Sequence, residues 1–155
     1  MPLNKLTQYL DDEGVKYLVI LHSPAYTAQE IAASAHIPGK ELAKTVIVKI
    51  DGKFAMAVLP ASHTLDIFLL KEAAHAEDVH LATETQFLEL FPDCEPGAMP
   101  PMGNLYGLPV YVCNSLAEDE TIAFNAGSHR ELVRMHYADF ARLAQPVVAN
   151  FSSKA

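Results

Sequence analysis

An Asp-Gly pair between two apolar, β-branched runs constrains the fold of this chain more than any other local feature. The runs are Lys44 to Ile50 (KTVIVKI) and Lys53 to Leu59 (KFAMAVL), separated only by Asp51-Gly52. Two-residue connections of this kind form primed turns whose central residues need positive φ, which Asp and Gly tolerate best. The pattern predicts a β-hairpin and therefore antiparallel pairing within the sheet.

Other elements interleave around it. The start, MPLNKLTQYLDDEG, puts Leu3, Leu6, Tyr9 and Leu10 on one side of a helix with Gly14 as its stop. Tyr17 to His22 has the length and composition of a strand, and Thr27 to Glu30 has capping-box spacing before a short helix to about Ala35. Leu65 to Ala76 shows helical spacing, and Thr83 to Gln86 is a second capping box before Phe87 to Phe91, so two helices are predicted there. Pro92 to Gly107 (PDCEPGAMPPMGNLYG) is too rich in Pro and Gly for a helix or a central strand and reads as a long, shaped loop. Leu108 to Cys113, Thr121 to Phe124 and Glu131 to His136 are predicted strands, and Tyr137 to Ala144 a closing helix before Pro146. Hairpins among interleaved helices fit a doubly wound parallel sheet poorly. The predicted class is α+β: a mixed, mainly antiparallel, barrel-like β-sheet with flanking helices.

Composition bounds the function. The 155 residues fit one domain, and 50% hydrophobic with 19% charged residues is a folding composition. A net charge of -8 disfavours any broad surface for DNA or duplex RNA, because such affinity is built from Lys and Arg on phosphates. Gripping only the end of a nucleic acid needs few such contacts and stays open. No apolar run approaches membrane-spanning length, so no membrane partner is expected. Cys94 and Cys113 lack CxxC spacing and follow no secretion pattern, which reads as free thiols in the cytoplasm.

Familiar chemical motifs are missing. His75 and His80, or His129 and His136, have no metal-ligand spacing, and there is no GxSxG elbow or phosphate-binding P-loop. Cys113 sits in an apolar strand pattern and reads as a small buried hydrophobe. Three features stay open between function and scaffold. Gly97-Ala-Met-Pro-Pro101-Met-Gly103 is either a proline-stiffened run of open amides able to hold a carbonyl or oxyanion, or a rigid connection. Lys44 at a strand entry is either a site cation or a solvated one, and Asn125-Ala-Gly-Ser-His129 either lines a pocket or is a strand-end turn.

Taken in order, Lys44-Thr45, the Gly97, Pro101, Gly103 loop and Asn125 to His129 resemble the YbaK/prolyl-tRNA synthetase editing-domain family, as does His22-Ser-Pro-Ala-Tyr-Thr-Ala28 upstream. The resemblance runs from about Leu18 to Leu143. It implies hydrolysis of the ester joining a mischarged amino acid to the tRNA 3′ end, mostly alanine or cysteine on the tRNA for proline, with no cofactor or metal. Lys44, Gly103 and His129 are then the catalytic candidates. His22, Thr27, Thr45, Gly97, Met99, Pro101, Met102, Asn125, Ala126, Gly127 and Ser128 become the substrate-binding candidates. Met99, Met102 and Leu105 are wall residues in this reading, with core packing as the competing role for each. The implied partners are the acceptor end of a mischarged tRNA and an aminoacyl-tRNA synthetase.

Overall fold

The computed structural model describes residues 2–21 and 37–154, so His22, Thr27 and the helix predicted to Ala35 lie outside the described residues. Helix α1 (Pro2–Asp12) forms on the predicted apolar spacing and buries Leu6 and Leu10. Gly14 follows at φ +69, a left-handed conformation suited to glycine. Strand β1 (Tyr17–Leu21) comes next.

The predicted hairpin is the centre of the sheet. β2 (Leu42–Ile50) pairs antiparallel with β3 (Lys53–Pro60), with Asp51 at φ +49 and Gly52 at φ +82 in the turn. Asp51 does more than turn the chain: its carboxylate accepts the amides of Glu77 (3.0 Å) and Asp78 (2.9 Å), tying the hairpin tip to a neighbouring segment.

After the hairpin come β4 (His63–Leu65), α2 (Ile67–Ala73), β5 (Val79–Leu81) and α3 (Glu84–Phe87), then a 3-10 turn at Leu88–Leu90 and another at Gly103–Leu105. β6 (Val110–Cys113), α4 (Asn114–Ala117), β7 (Thr121–Asn125), β8 (Glu131–His136), α5 (Tyr137–Ala144), β9 (Val147–Ala149) and β10 (Ser152–Lys154) complete the order. The helix predicted from Leu65 starts later, because Leu65 pairs in a strand and Asp66 caps α2 by accepting the Leu69 amide at 3.1 Å. At α3 the capping box forms as predicted, with the Gln86 side chain accepting the Thr83 amide at 2.8 Å. The predicted continuation to Phe91 tightens into the 3-10 turn.

One sheet runs β1-β8-β7-β2-β3-β6-β9, with β5 also on β2, and a separate ribbon pairs β4 with β10. The β1/β8, β7/β8, β2/β3, β2/β5 and β4/β10 pairs are antiparallel, whereas β2/β7, β3/β6 and β6/β9 are parallel, giving the mixed, mainly antiparallel α+β fold that was expected.

The hairpin strands are covered on both faces, which alternation makes visible. Ala43, Ile47, Met56 and Val58 pack with Leu6, Leu10, Val110, Val112 and Phe140 on one side. Val48, Ala55, Ala57 and Leu59 pack with Leu70, Cys113 and Phe151 on the other. Each fully buried Leu or Phe contributes roughly 1.5–3 kcal/mol of apolar burial. Among the described residues, no helix is long and apolar enough to cross a membrane.

Candidate active site

Lys44 sits where two parallel strands part. β2 and β7 pair only at Leu42 with Ala123 and Ala43 with Phe124, so Lys44 and Asn125 occupy the next register positions, beside the opening between the strands. Lys44 lies opposite Leu59 in the hairpin, which places its side chain on the Val48 and Leu59 face of the sheet. Asn125 shares that face by alternation with Phe124 and Ala126, which belong to the opposite core. Lys44 is half-buried, and burial holds its amine below the ordinary lysine value. The side-chain oxygen of Asn125 is buried and has no hydrogen-bond partner among the described residues. A desolvated cation thus stands beside an unfilled acceptor.

The glycine-proline loop is latched to the late segment by four hydrogen bonds. The Glu95 amide donates to the Gly127 carbonyl (2.8 Å), and the Gly127 amide donates back to Ala98 (2.9 Å). The His129 amide donates to the Glu95 carboxylate (2.9 Å), and its ring Nε2 stands 2.8 Å from the Pro96 carbonyl. A carbonyl can only accept, so Nε2 carries the proton and is committed to the loop. His129 therefore anchors the segment that its own backbone also fastens.

Within the loop, Ala98 through Gly103 are buried, whereas Gly97 is exposed. The amides of Met99 and Met102 donate to no acceptor among the described residues, and Pro100 and Pro101 have no amide to donate. Buried N–H groups are normally paired, so two unpaired amides in a proline-stiffened run form a ready receptor for an oxygen. Gly97 adopts φ +82, and an added Cβ would lie 3.7 Å from His129 Cε1. Gly97→Ala should therefore fit sterically yet cost about 1–2 kcal/mol of backbone strain, read as a lowered Tm in thermal denaturation.

The structure separates some predicted neighbours. Thr45 faces Val58 and hence the opposite side of the sheet from Lys44. The side chains of Met99, Met102 and Ala126 are buried in that opposite core, so any part the methionines play at the opening falls to their backbone. Gly103 presses its Cα against Leu108 and Val110 as the loop enters its 3-10 turn. Ser128 accepts the Arg130 amide at 3.3 Å. Cys113 is 1% exposed, which removes it from reach as a nucleophile. Burial raises its thiol pKa, but hydrogen bonds with Ser115 and Ser152 outweigh that and leave it below the ordinary value.

Several participants carry no motif in the sequence. Glu95 and Pro96 lie beside the glycine motif but carry no local signature, since their value lies in bonds to residues more than thirty positions away. Asn104 and Lys5 are similar. Asn104 donates to the Tyr9 hydroxyl at 2.8 Å, and Lys5 lies 4.5 Å over the Tyr106 ring, so α1 clamps the far end of the loop. Among the described residues, no group of three His, Cys, Asp or Glu side chains is arranged to hold a metal ion.

Fold and site together define a mixed-sheet α+β domain in which a half-buried lysine stands beside Asn125 and the residues that follow Asn125 hold a glycine-proline loop. The chain belongs to the aminoacyl-tRNA editing domain family, whose model matches residues 22–143. It is 31% identical over 129 residues to a proline–tRNA ligase of Staphylococcus epidermidis (strain RP62A), covering 77% of this chain and 22% of the ligase, so it spans less than a quarter of that relative. It is 28% identical over 152 residues to the multifunctional Ser/Thr-tRNA deacylase ProXp-y of Escherichia coli (strain K12), covering 95% of this chain and 90% of that protein. The fold matches the crystal structure of hypothetical protein APE2540 with a TM-score of 0.86 at 24% identity, over 96% of this chain and 99% of that one. It also matches a crystal structure described as a candidate trans-editing enzyme for prolyl tRNA synthetase, with a TM-score of 0.82 at 20% identity, over 98% and 97% of the two chains.

Proposed function

We propose that this chain is a trans-acting aminoacyl-tRNA deacylase that hydrolyses the ester of a small, wrong amino acid at the tRNA 3′ end, in the cytoplasm. The observation that carries the reading is a half-buried Lys44 one register beyond the last β2/β7 pair, beside Asn125, whose following residues Gly127 and His129 are bonded to the glycine-proline loop. An aminoacyl ester is already activated by its neighbouring ribose hydroxyl, so positioning and charge stabilisation suffice. Water adds to the acyl carbon, and the developing oxyanion is held by loop amides. The bond from acyl carbon to ribose oxygen then breaks, and the ribose oxygen takes a proton. Lys44 stabilises the terminal nucleotide and the negative charge. Asn125 offers its oxygen to the α-amino group or ribose hydroxyl. His129 serves as a positioning residue for the loop.

Small size sets the substrate. Selection by size, as in double-sieve editing, admits alanine, cysteine or serine and excludes a larger cognate residue. Likeness to proline–tRNA ligases favours the tRNA for proline carrying alanine or cysteine, while the E. coli relative's name adds serine and threonine to the set. A synthetase partner is part of this proposal.

The competing reading is a non-catalytic binder of an amino acid or aminoacyl ester, favoured by the commitment of His129 Nε2 to Pro96. Calorimetry with free alanine and cysteine beside an ester-cleavage assay separates the two. The deacylase account expects cleavage and weak binding of the free amino acid. Tight, tRNA-independent binding without cleavage would overturn it.

A further inference from the structure

We propose that His63 and Lys154 extend Lys44 into a phosphate-binding subsite that grips the phosphodiester backbone beside the reacting nucleotide, a reading that rests on the deacylase function above. In the β4/β10 ribbon Lys154 lies directly opposite His63. Opposed residues share a face and begin about 5 Å apart at Cβ. Leu65 of β4 and Phe151 before β10 join the cluster of Val48, Ala57 and Leu59, which lays the ribbon over the face to which Lys44 points.

The two charges that bear on the His63 ring, those of Lys154 and Lys44, are both positive. Burial first, then the positive charges of Lys154 and Lys44, hold its ring below the ordinary imidazole value. Among the described residues the ion pairs are His80 with Asp78 and Arg134 with Glu41, so none of Lys44, His63 and Lys154 is neutralised by a carboxylate. This chain has 19 acidic residues against 11 Lys and Arg, so two unneutralised lysines flanking an imidazole are not a product of composition. Like charges left together repel, and a bound anion converts that repulsion into attraction.

The ring is held without being neutralised. His63 Nδ1 lies 2.8 Å from Ser152 Oγ, which lies 2.8 Å from Cys113 Sγ, and Ser152 and Cys113 are both buried. The Ser152 hydroxyl can donate to a neutral ring while accepting from the thiol, or turn and accept from a protonated ring while donating to sulfur. Both charge states of His63 are thus accommodated. A single-stranded RNA end fits the two lysines and the imidazole between them, since it presents one phosphate per nucleotide next to an ester held near Lys44.

The test measures fluorescence anisotropy of an uncharged RNA minihelix ending in cytidine-cytidine-adenosine, across a salt series, with wild type, Lys154→Ala, Lys154→Arg and His63→Gln/Lys154→Ala. Lys154→Ala should weaken binding about three- to fivefold and lower the log–log salt slope by about 0.7, with Lys154→Arg restoring both and the double variant losing more. A companion assay compares kcat/KM on the alanylated minihelix with that on alanyl-adenosine, which carries no phosphate. That ratio should fall about three- to fivefold in Lys154→Ala. Unchanged affinity and salt slope in the double variant would overturn the subsite, as would an equal loss on both esters. A wild-type protein that cleaves neither ester would sink the deacylase reading instead, and the anisotropy arm would still decide the subsite.

Discussion

Lys44→Ala is expected to slow aminoacyl-ester hydrolysis by about 10²–10³-fold while leaving the fold intact, read as single-turnover rates beside thermal denaturation. The rate loss follows because Lys44 is the cation at the β2/β7 opening and loop amides alone cannot neutralise the charge that develops on oxygen. The stability side follows from burial. The folded amine has a lowered pKa, so the unfolded chain binds that proton more tightly. Burying the charged amine therefore costs stability below its folded pKa. That cost fades as pH rises between the lowered value and that of an ordinary lysine. Alanine at this position should leave Tm unchanged or slightly raised at neutral pH. The same shift predicts that wild-type activity falls on the alkaline side before an exposed lysine would titrate.

Gly103→Ala should have the largest effect on stability. A Cβ there would come within 2.4 Å of the Leu108 carbonyl oxygen and 2.6 Å of Val110 Cγ2. One neighbour is backbone, and the Leu108 amide is itself bonded to the Gly103 carbonyl at 2.9 Å, so neither can move alone. Overpacking of this kind costs about 1–3 kcal/mol, a Tm loss of about 2–12 °C in a chain of this size. Gly39→Ala is the internal control, because its Cβ would meet Ser62 Cβ at an ordinary 3.4 Å without strained φ. If both variants melt alike, Gly103 is not the close-approach point that the structure indicates.

The sequence carried those parts of the fold whose causes are local. Asp51-Gly52 specifies its turn by its own φ preferences, Thr83 and Gln86 satisfy each other's amides, and the Leu6 and Leu10 spacing defines α1 without reference to anything distant. Val79–Leu81, Val147–Ala149 and Ser152–Lys154 carry no strand signature of their own. Each is three residues long and largely exposed, and each exists because a non-local partner offers an edge. The site divides in the same way. Lys44, the glycine loop and Asn125 to His129 stood out as an ordered set, yet strand alternation sends Thr45 away from Lys44, which a linear motif does not show. Gly103 stands in the functional motif, and its close approach to Leu108 and Val110 adds a packing reason for glycine that the motif does not show. His63 and Lys154 share no motif and come together only across the β4/β10 ribbon.

The most direct measurement of the deacylase assignment is release of amino acid from a panel of mischarged tRNAs, with wild type and Lys44→Ala run side by side against spontaneous hydrolysis. The panel carries alanine, cysteine, serine and threonine, with alanine and cysteine on the tRNA for proline and correctly charged prolyl-tRNA as the excluded cognate. The account predicts rapid release of at least one small residue, sparing of proline, and loss of that release in Lys44→Ala. No release above the spontaneous rate anywhere on the panel, or full activity in Lys44→Ala, would contradict it.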